Sequence, residues 1–311
     1  MNKVKDSLLK IGFKNIPVRL ILVKLTDVWQ EVKLHNSDSK VAHNILGEAL
    51  AASGLLMSNI KIDGSVSLQI RSSNHDLSML VAECNHKFGI RGIARVKDNV
   101  ESLDMKSLNS LASDDSHFIV NILPNQKHLN PYQGIIPIYI GDNGFSMQDA
   151  ISNYMHNSEQ IDTNVWLCAN DDVAVGMLLQ RIPHEGGNAL HSQDAEDDWL
   201  TIKHLASTIK QKELLELDLL TIVQLLFNEY IEQEKVLILD EKTPYFYCTC
   251  SQEKAENAIK MELASVESVN ELMRDKDFIT VDCDFCAKKY GFNYSDCDRI
   301  YHSLNESKKY N

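Results

Sequence analysis

Two pairs of cysteines near the end of this 311-residue chain constrain it more than any other feature. They are Cys248 and Cys250 in Cys-Thr-Cys, then Cys283 and Cys286 in Cys-Asp-Phe-Cys. Thiolates in two close pairs offer four soft donors for one tetrahedral ion, and zinc is the usual occupant in a reduced compartment. The 32 residues between the pairs are enough for the chain to fold back and set the pairs face to face. The pairs are not equivalent. Cys-x-x-Cys is an ordinary metal knuckle, whereas Cys-x-Cys puts two sulfurs on one short extended stretch. There they can share a metal, or join each other in a small, strained disulfide ring. Strained disulfides are the more easily reversed ones. Spacing alone leaves a static zinc ribbon and a redox switch both open.

The rest of the composition narrows the class. A chain of this length exceeds one ordinary core, so two or three domains are expected. Hydrophobic residues make up 44%, which excludes wholesale disorder. No apolar run reaches the roughly 18 residues of a membrane span, and no apolar signal region follows Met1. A cytoplasmic location without membrane attachment is expected. Net charge is −13 and no Lys/Arg cluster stands out, which disfavours nucleic acid as a partner. Seven cysteines, an odd number, argue for reduced thiols and metal over a disulfide framework.

Taken in order, Pro17-Val-Arg-Leu-Ile-Leu-Val-Lys-Leu reads as a strand within 17–29. Ala42, Ile45, Leu46, Ala49, Leu50 and Leu56 recur at helical spacing, with Ser37, Asp38 and Ser39 as candidate N-caps. Asp63-Gly64 turns into an alternating strand through Val66, Leu68 and Ile70. Strands follow at 77–82, 89–96, 117–123 and 133–140, a helix at 147–156, and strands at 164–169 and 176–182. This predicts an α+β domain over 1–183, mostly antiparallel sheet with helices on one side. A polar, Gly-containing stretch from His184 opens a helical linker region, 184–240, with apolar stripes through Trp199, Ile202, Leu205 and Ile209 and through Ile222, Val223, Leu226 and Phe227. The last region, 241–311, is a small zinc domain with a helix over 251–274 and a strand at 278–281. The Trp199 stripe is expected to lie under that domain at rest.

Along nearly the whole chain, short segments accumulate: Arg91-Gly-Ile-Ala-Arg-Val96, Tyr132-Gln-Gly-Ile135, Ser158-Glu-Gln160 with Thr163, Gly176-Met-Leu-Leu-Gln180, Cys248-Thr-Cys-Ser251, Cys283-Asp-Phe-Cys286 and Tyr290-Gly-Phe-Asn293. In this order the chain resembles the heat-shock protein thirty-three family, the 33 kDa chaperonins. It departs from the family at Ala287, where Gly is frequent after the last cysteine, at Val175-Gly176, in the more polar stretch 228–235, and in the extra thiol Cys297.

The resemblance implies a redox-regulated holdase. Its reduced state holds one zinc ion on Cys248, Cys250, Cys283 and Cys286 and is inactive. Oxidation together with unfolding stress forms disulfides, releases zinc and unfolds the C-terminal region. The molecule then becomes a homodimer that binds unfolding client proteins without ATP. Carried over by position, the disulfides are Cys248–Cys250 and Cys283–Cys286. The other readings are a structural zinc ribbon and a thiol–disulfide oxidoreductase, and the latter lacks the βαβ context its motif needs. No enzyme site is legible. Gly186-Gly187 lacks the phosphate-loop pattern, and the eleven histidines show no His-x-x-x-His spacing. Cys84 and Cys168, on strand-like runs, read as buried small hydrophobes.

Overall fold

A computed structural model describes residues 5–36, 39–73, 75–97, 103–111, 116–138, 140–141, 144–182, 193–262, 273–274 and 277–307. Candidate caps Ser37 and Asp38, the glycine pair Gly186-Gly187 and residues 263–272 of the expected C-terminal helix lie outside them. Packing divides the chain into two compact units, Met1–Tyr247 and Cys248–Asn311.

The first unit begins with β1 (Ser7–Phe13), β2 (Ile16–Leu25), α1 (Asp27–Lys33) and α2 (Lys40–Asn59), followed by β3 (Gly64–Ser72), β4 (Leu77–Asn85), β5 (Gly89–Val96) and α3 (Met105–Asn109). Then come β6 (Ser116–Pro124), β7 (Tyr132–Pro137), α4 (Met147–Tyr154), β8 (Thr163–Ala169) and β9 (Ala174–Arg181). It closes with α5 (Gln193–Ser207), α6 (Gln211–Glu216), α7 (Leu219–Glu232), β10 (Val236–Lys242) and β11 (Tyr245–Phe246). The strands form two sheets, β10-β1-β2-β9-β8 and β11-β5-β4-β3-β6-β7. Every pairing is antiparallel except the short parallel β11–β5 contact.

The helices are not all on one side of one sheet. α2 lies between the two sheets and packs on both, so its apolar stripe continues around the back as Gly47, Ala51, Ala52, Ser53 and Gly54. Small residues let both sheets approach. A Cβ on Gly92 of β5 would stand 2.7 Å from Leu50, and one on Gly176 of β9 would stand 2.8 Å from Leu55. Ser39 caps the helix by accepting from the Ala42 amide.

The first sheet is buried on both faces, which is why β2 and β9 are almost continuously apolar. Ile21, Val23 and Leu178 face the α2 core, while Leu20, Leu22, Met177 and Leu179 face a second core with α5, α6 and α7. The stripe predicted through Trp199 and Ile202 therefore finds its apolar partner in the first sheet of its own unit. The packing follows because the sheet's second face needs a cover too. β10 seals the edge beside β1, a strand the sequence reading passed over.

One polar side chain ties this layer down. Lys24 is 2% exposed, and its ammonium donates to the carbonyls of Leu214 (3.1 Å), Leu215 (2.7 Å) and Leu217 (2.6 Å), where α6 ends. A cation at a helix C-terminus answers its unpaired carbonyls and its dipole. Lys24→Met should leave those acceptors buried and unpaired. We expect a loss of about 2 kcal/mol in urea unfolding and faster proteolysis near residues 208–218; unchanged stability would refute the tie.

A second test is pH-dependent. Burial pushes the half-buried Glu48 carboxyl on α2 up to about 7 from an ordinary value of 4.5. Between those values the folded state holds a proton that the unfolded chain has released, so stability falls as pH rises and levels off above 7. Glu48→Gln should remove this slope and leave the variant more stable than the parent at pH 8, by up to about 3 kcal/mol. Parallel pH profiles for the two proteins would show that Glu48 titrates normally.

Candidate metal centre

The route to the first cysteine pair is fixed by hydrogen bonds. After β10 the chain crosses to the second sheet, where the Tyr245 amide donates to the Phe88 carbonyl and the Tyr247 amide to that of Ile90, both at 3.1 Å. Phe246 packs into the α2 core. Cys248, Thr249 and Cys250 follow without regular structure.

The second unit is built from α8 (Gln252–Glu262), β12 (Phe278–Asp282), β13 (Lys289–Asn293) and α9 (Tyr294–Ser307). β12 and β13 form a hairpin with Val281 opposite Tyr290. A reciprocal cap starts α9: the Asn293 side chain accepts from the Asp296 amide, and the Asp296 carboxylate accepts from the Asn293 amide. The sequence reading missed this helix, although Asn293-Tyr-Ser-Asp296 carries the capping signal. The described core is small: Ala255, Ile259, Met273, Tyr290, Phe292, Cys297 and Ile300.

Cys283 and Cys286 occupy the turn of that hairpin. The Cys283 amide donates to the Lys288 carbonyl (2.9 Å), and the Ala287 amide returns to the Cys283 carbonyl (2.8 Å). This closes a knuckle with both sulfurs on one side, and it forces Ala287 to φ = 52°. The left-handed region costs a residue with a Cβ about 1 kcal/mol, which explains in physical terms why glycine suits this position.

All four thiols are free and half-buried, and their sulfurs lie within 4.8 Å of one another. Cys248 and Cys283 are 3.5 Å apart, as are Cys250 and Cys286. Both of these contacts run between the two motifs. They are too long for disulfide bonds of about 2.05 Å and near the edge of roughly 3.8 Å for a tetrahedron with metal–sulfur bonds of about 2.3 Å. The donor set fits a soft, four-coordinate ion. Among the described residues it is the one group of three or more Cys, His, Asp or Glu side chains with such a geometry.

The thiols differ as acids. Burial pushes up Cys248, and burial with the neighbouring sulfurs takes Cys286 up to about 12. At Cys250 the upward push of burial is outweighed by the Tyr290 hydroxyl and the other three sulfurs, which draw it down to about 7. That hydroxyl is buried and has no hydrogen-bond partner of ordinary geometry among the described residues. Sequence reasoning quoted Tyr290 without giving it a role; nothing in its spacing signals the contact. Cys297, by contrast, is fully buried against Met273 and away from the sulfur group. Cys84 and Cys168 are buried within the first unit, as small hydrophobes are.

The comparisons with known proteins agree along the chain's length. The model of the family described as Hsp33 protein matches residues 6–293. The 33 kDa chaperonin of Methylobacillus flagellatus is 32% identical over 300 residues, covering 96% of this chain and 95% of its own. That of Chromobacterium violaceum is 32% identical over 296 residues, covering 95% and 94%. The crystal structure of the 33 kDa chaperonin (heat shock protein 33 homolog) from Thermotoga maritima superposes with a TM-score of 0.72 at 19% identity, over 96% of this chain and 99% of that one. It shares the fold.

Relief of the Ala287 strain gives a direct test of the knuckle. Ala287→Gly should raise affinity for a four-sulfur metal by about fivefold, the equivalent of roughly 1 kcal/mol, in a competition titration with a chromogenic chelator. Weaker binding would mean that the turn is not strained.

Proposed function

Because the chain belongs to the Hsp33 family, we propose that it is a redox-regulated, ATP-independent holdase that captures unfolding proteins. In the reduced resting state Cys248, Cys250, Cys283 and Cys286 hold one zinc ion. The observation that carries this reading is the group of four free thiols at the spacing a tetrahedral thiolate site needs. Zinc bound there keeps all four sulfurs deprotonated and ties residue 248 to residue 286.

The chain's own residues do the rest. Three regions divide the work: 1–183 as the stable core, 184–240 as the linker that meets clients, and 241–311 as the switch. Two thiolates of one pair give two electrons to one equivalent of peroxide and, with two protons taken from solvent, form Cys248–Cys250 or Cys283–Cys286 and two waters. Neither short loop can replace a tie from residue 248 to residue 286, since a disulfide constrains the chain less the shorter the loop it closes. The core around Phe292 and Ile300 is too small to hold the fold alone. Leu200, Leu220, Leu225 and Ile231 of the linker region are exposed apolar side chains that suit unfolded clients. The activated form dimerises.

A static zinc ribbon is the second reading. Thiol–disulfide exchange is less well supported, because Cys283 and Cys286 sit in a β-hairpin turn rather than at a helix N-terminus. No described helix is long and apolar enough to cross a membrane, and the proposed location is the cytoplasm.

Zinc and thiols should be counted together with suppression of client aggregation, before and after peroxide. We expect one zinc and no holdase activity in the reduced protein, then loss of zinc and onset of activity on oxidation. Early proteolysis of the oxidised form should fall after residue 183 and spare 60–180. Equal activity in both states would favour the ribbon, and zinc retained after all four cysteines become serine would refute the site.

A further inference from the structure

A cleft of about 660 Å³ opens in the first unit beside the C-terminal end of α2. Four cations line it, Lys10, Arg19, Lys61 and Lys242, against two carboxylates, Asp63 and Asp240. With His86 neutral this leaves two surplus positive charges, in a chain whose net charge is −13.

Both carboxylates already have partners. Asp240 pairs with Lys242, itself a cation of the cleft, at 2.8 Å, and Asp63 accepts from the Asn125 side-chain amide at 2.7 Å and faces His86 at 3.0 Å. Lys10 donates to the Ser58 carbonyl (2.7 Å), the cap expected at a helix end that carries about half a negative charge. That dipole explains one cation, not three. Arg19 turns two of its nitrogens to a single neutral acceptor, the Gln180 side-chain oxygen, and pairs with no carboxylate among the described residues. Lys61 is exposed and likewise unpaired among them. The Ser58 hydroxyl on the cleft wall is buried without a hydrogen-bond partner among the described residues. Burial and the charges of Arg19 and Lys61 lower the Lys10 ammonium against only the pull of Asp240. Like charges held together with too few counterions cost stability, and they mark a place for an anion.

The cleft is apolar as well: Ile60, Ile62 and Leu239 line it beside the cations. A guanidinium fork and two ammonium groups match a phosphate dianion better than a single carboxylate, both in charge and in geometry. We propose that this cleft binds an organic phosphate monoester, its dianionic head between Lys10, Arg19 and Lys61 and its apolar body against Ile60, Ile62 and Leu239.

Isothermal titration of the reduced, zinc-loaded full chain with phenyl phosphate, inorganic phosphate and benzoate tests this. Phenyl phosphate should bind about fivefold or more tighter than either of the other two. Lys61→Gln should weaken it about fivefold without touching the fold, since that side chain is exposed and makes no hydrogen bond among the described residues. Arg19→Gln should weaken it further, while Lys212→Gln, on an exposed face of α6 outside the cleft, should not change it. Absent heat at millimolar phenyl phosphate, equal binding of benzoate or of bare phosphate, or an unchanged affinity in Lys61→Gln would each overturn the proposal.

Discussion

A helix buried along most of its length cannot lie on a surface, and the first unit is arranged around that constraint. α2 has 14 buried residues among its 20, too many for one sheet to cover. Two sheets close on it, and the small residues Gly47, Ala51 and Gly54 set how closely they come. The first sheet then has a second apolar face, through Leu20, Leu22 and Met177, which in turn requires α5–α7. Each layer exists because the previous one left apolar surface uncovered. Lys24 is the exception, a charge placed where α6 ends and satisfied by carbonyls alone.

The second unit follows a different logic. Its described core is a handful of side chains around Phe292, and the four sulfurs stand at one end of it. Cys250 packs against that core, so the sulfur group and the hydrophobic cluster share atoms. Displacing that thiol and loosening the core are therefore coupled by contact as well as by the chain. The knuckle adds a small opposing strain at Ala287.

Much of the site was legible because four cysteines in two pairs permit little else, and the structure gathers all four. Tyr290 was invisible as a partner, since its role depends on where the hairpin places its hydroxyl beside Cys250. The departure at Ala287 was legible as a difference, but its meaning required the backbone angle. In the fold, α2 was found from the stripe through Ala42, Ile45 and Ala49. Its second face was missed because Gly and Ser score as polar or neutral while serving close packing. β1 was passed over: Lys10 and Gly12 interrupt its alternation, and its outer partner β10 comes some 220 residues later in sequence. Lys24, inside an apolar run, gave no sign of the three carbonyls it would meet.

Residues 236–247 do more than connect. Within a dozen positions the chain hydrogen-bonds first to the edge of one sheet at β1 and then to the edge of the other at β5. It acts as a clasp across the sandwich, and its last hydrogen bond is made by Tyr247, one residue before the first sulfur. Cooperative protection against hydrogen exchange should accordingly change level across a single peptide bond, between Tyr247 and Cys248. The fold thus has a seam with a fixed address: any disorder that began among the sulfurs would meet a stitched edge before it could run upstream.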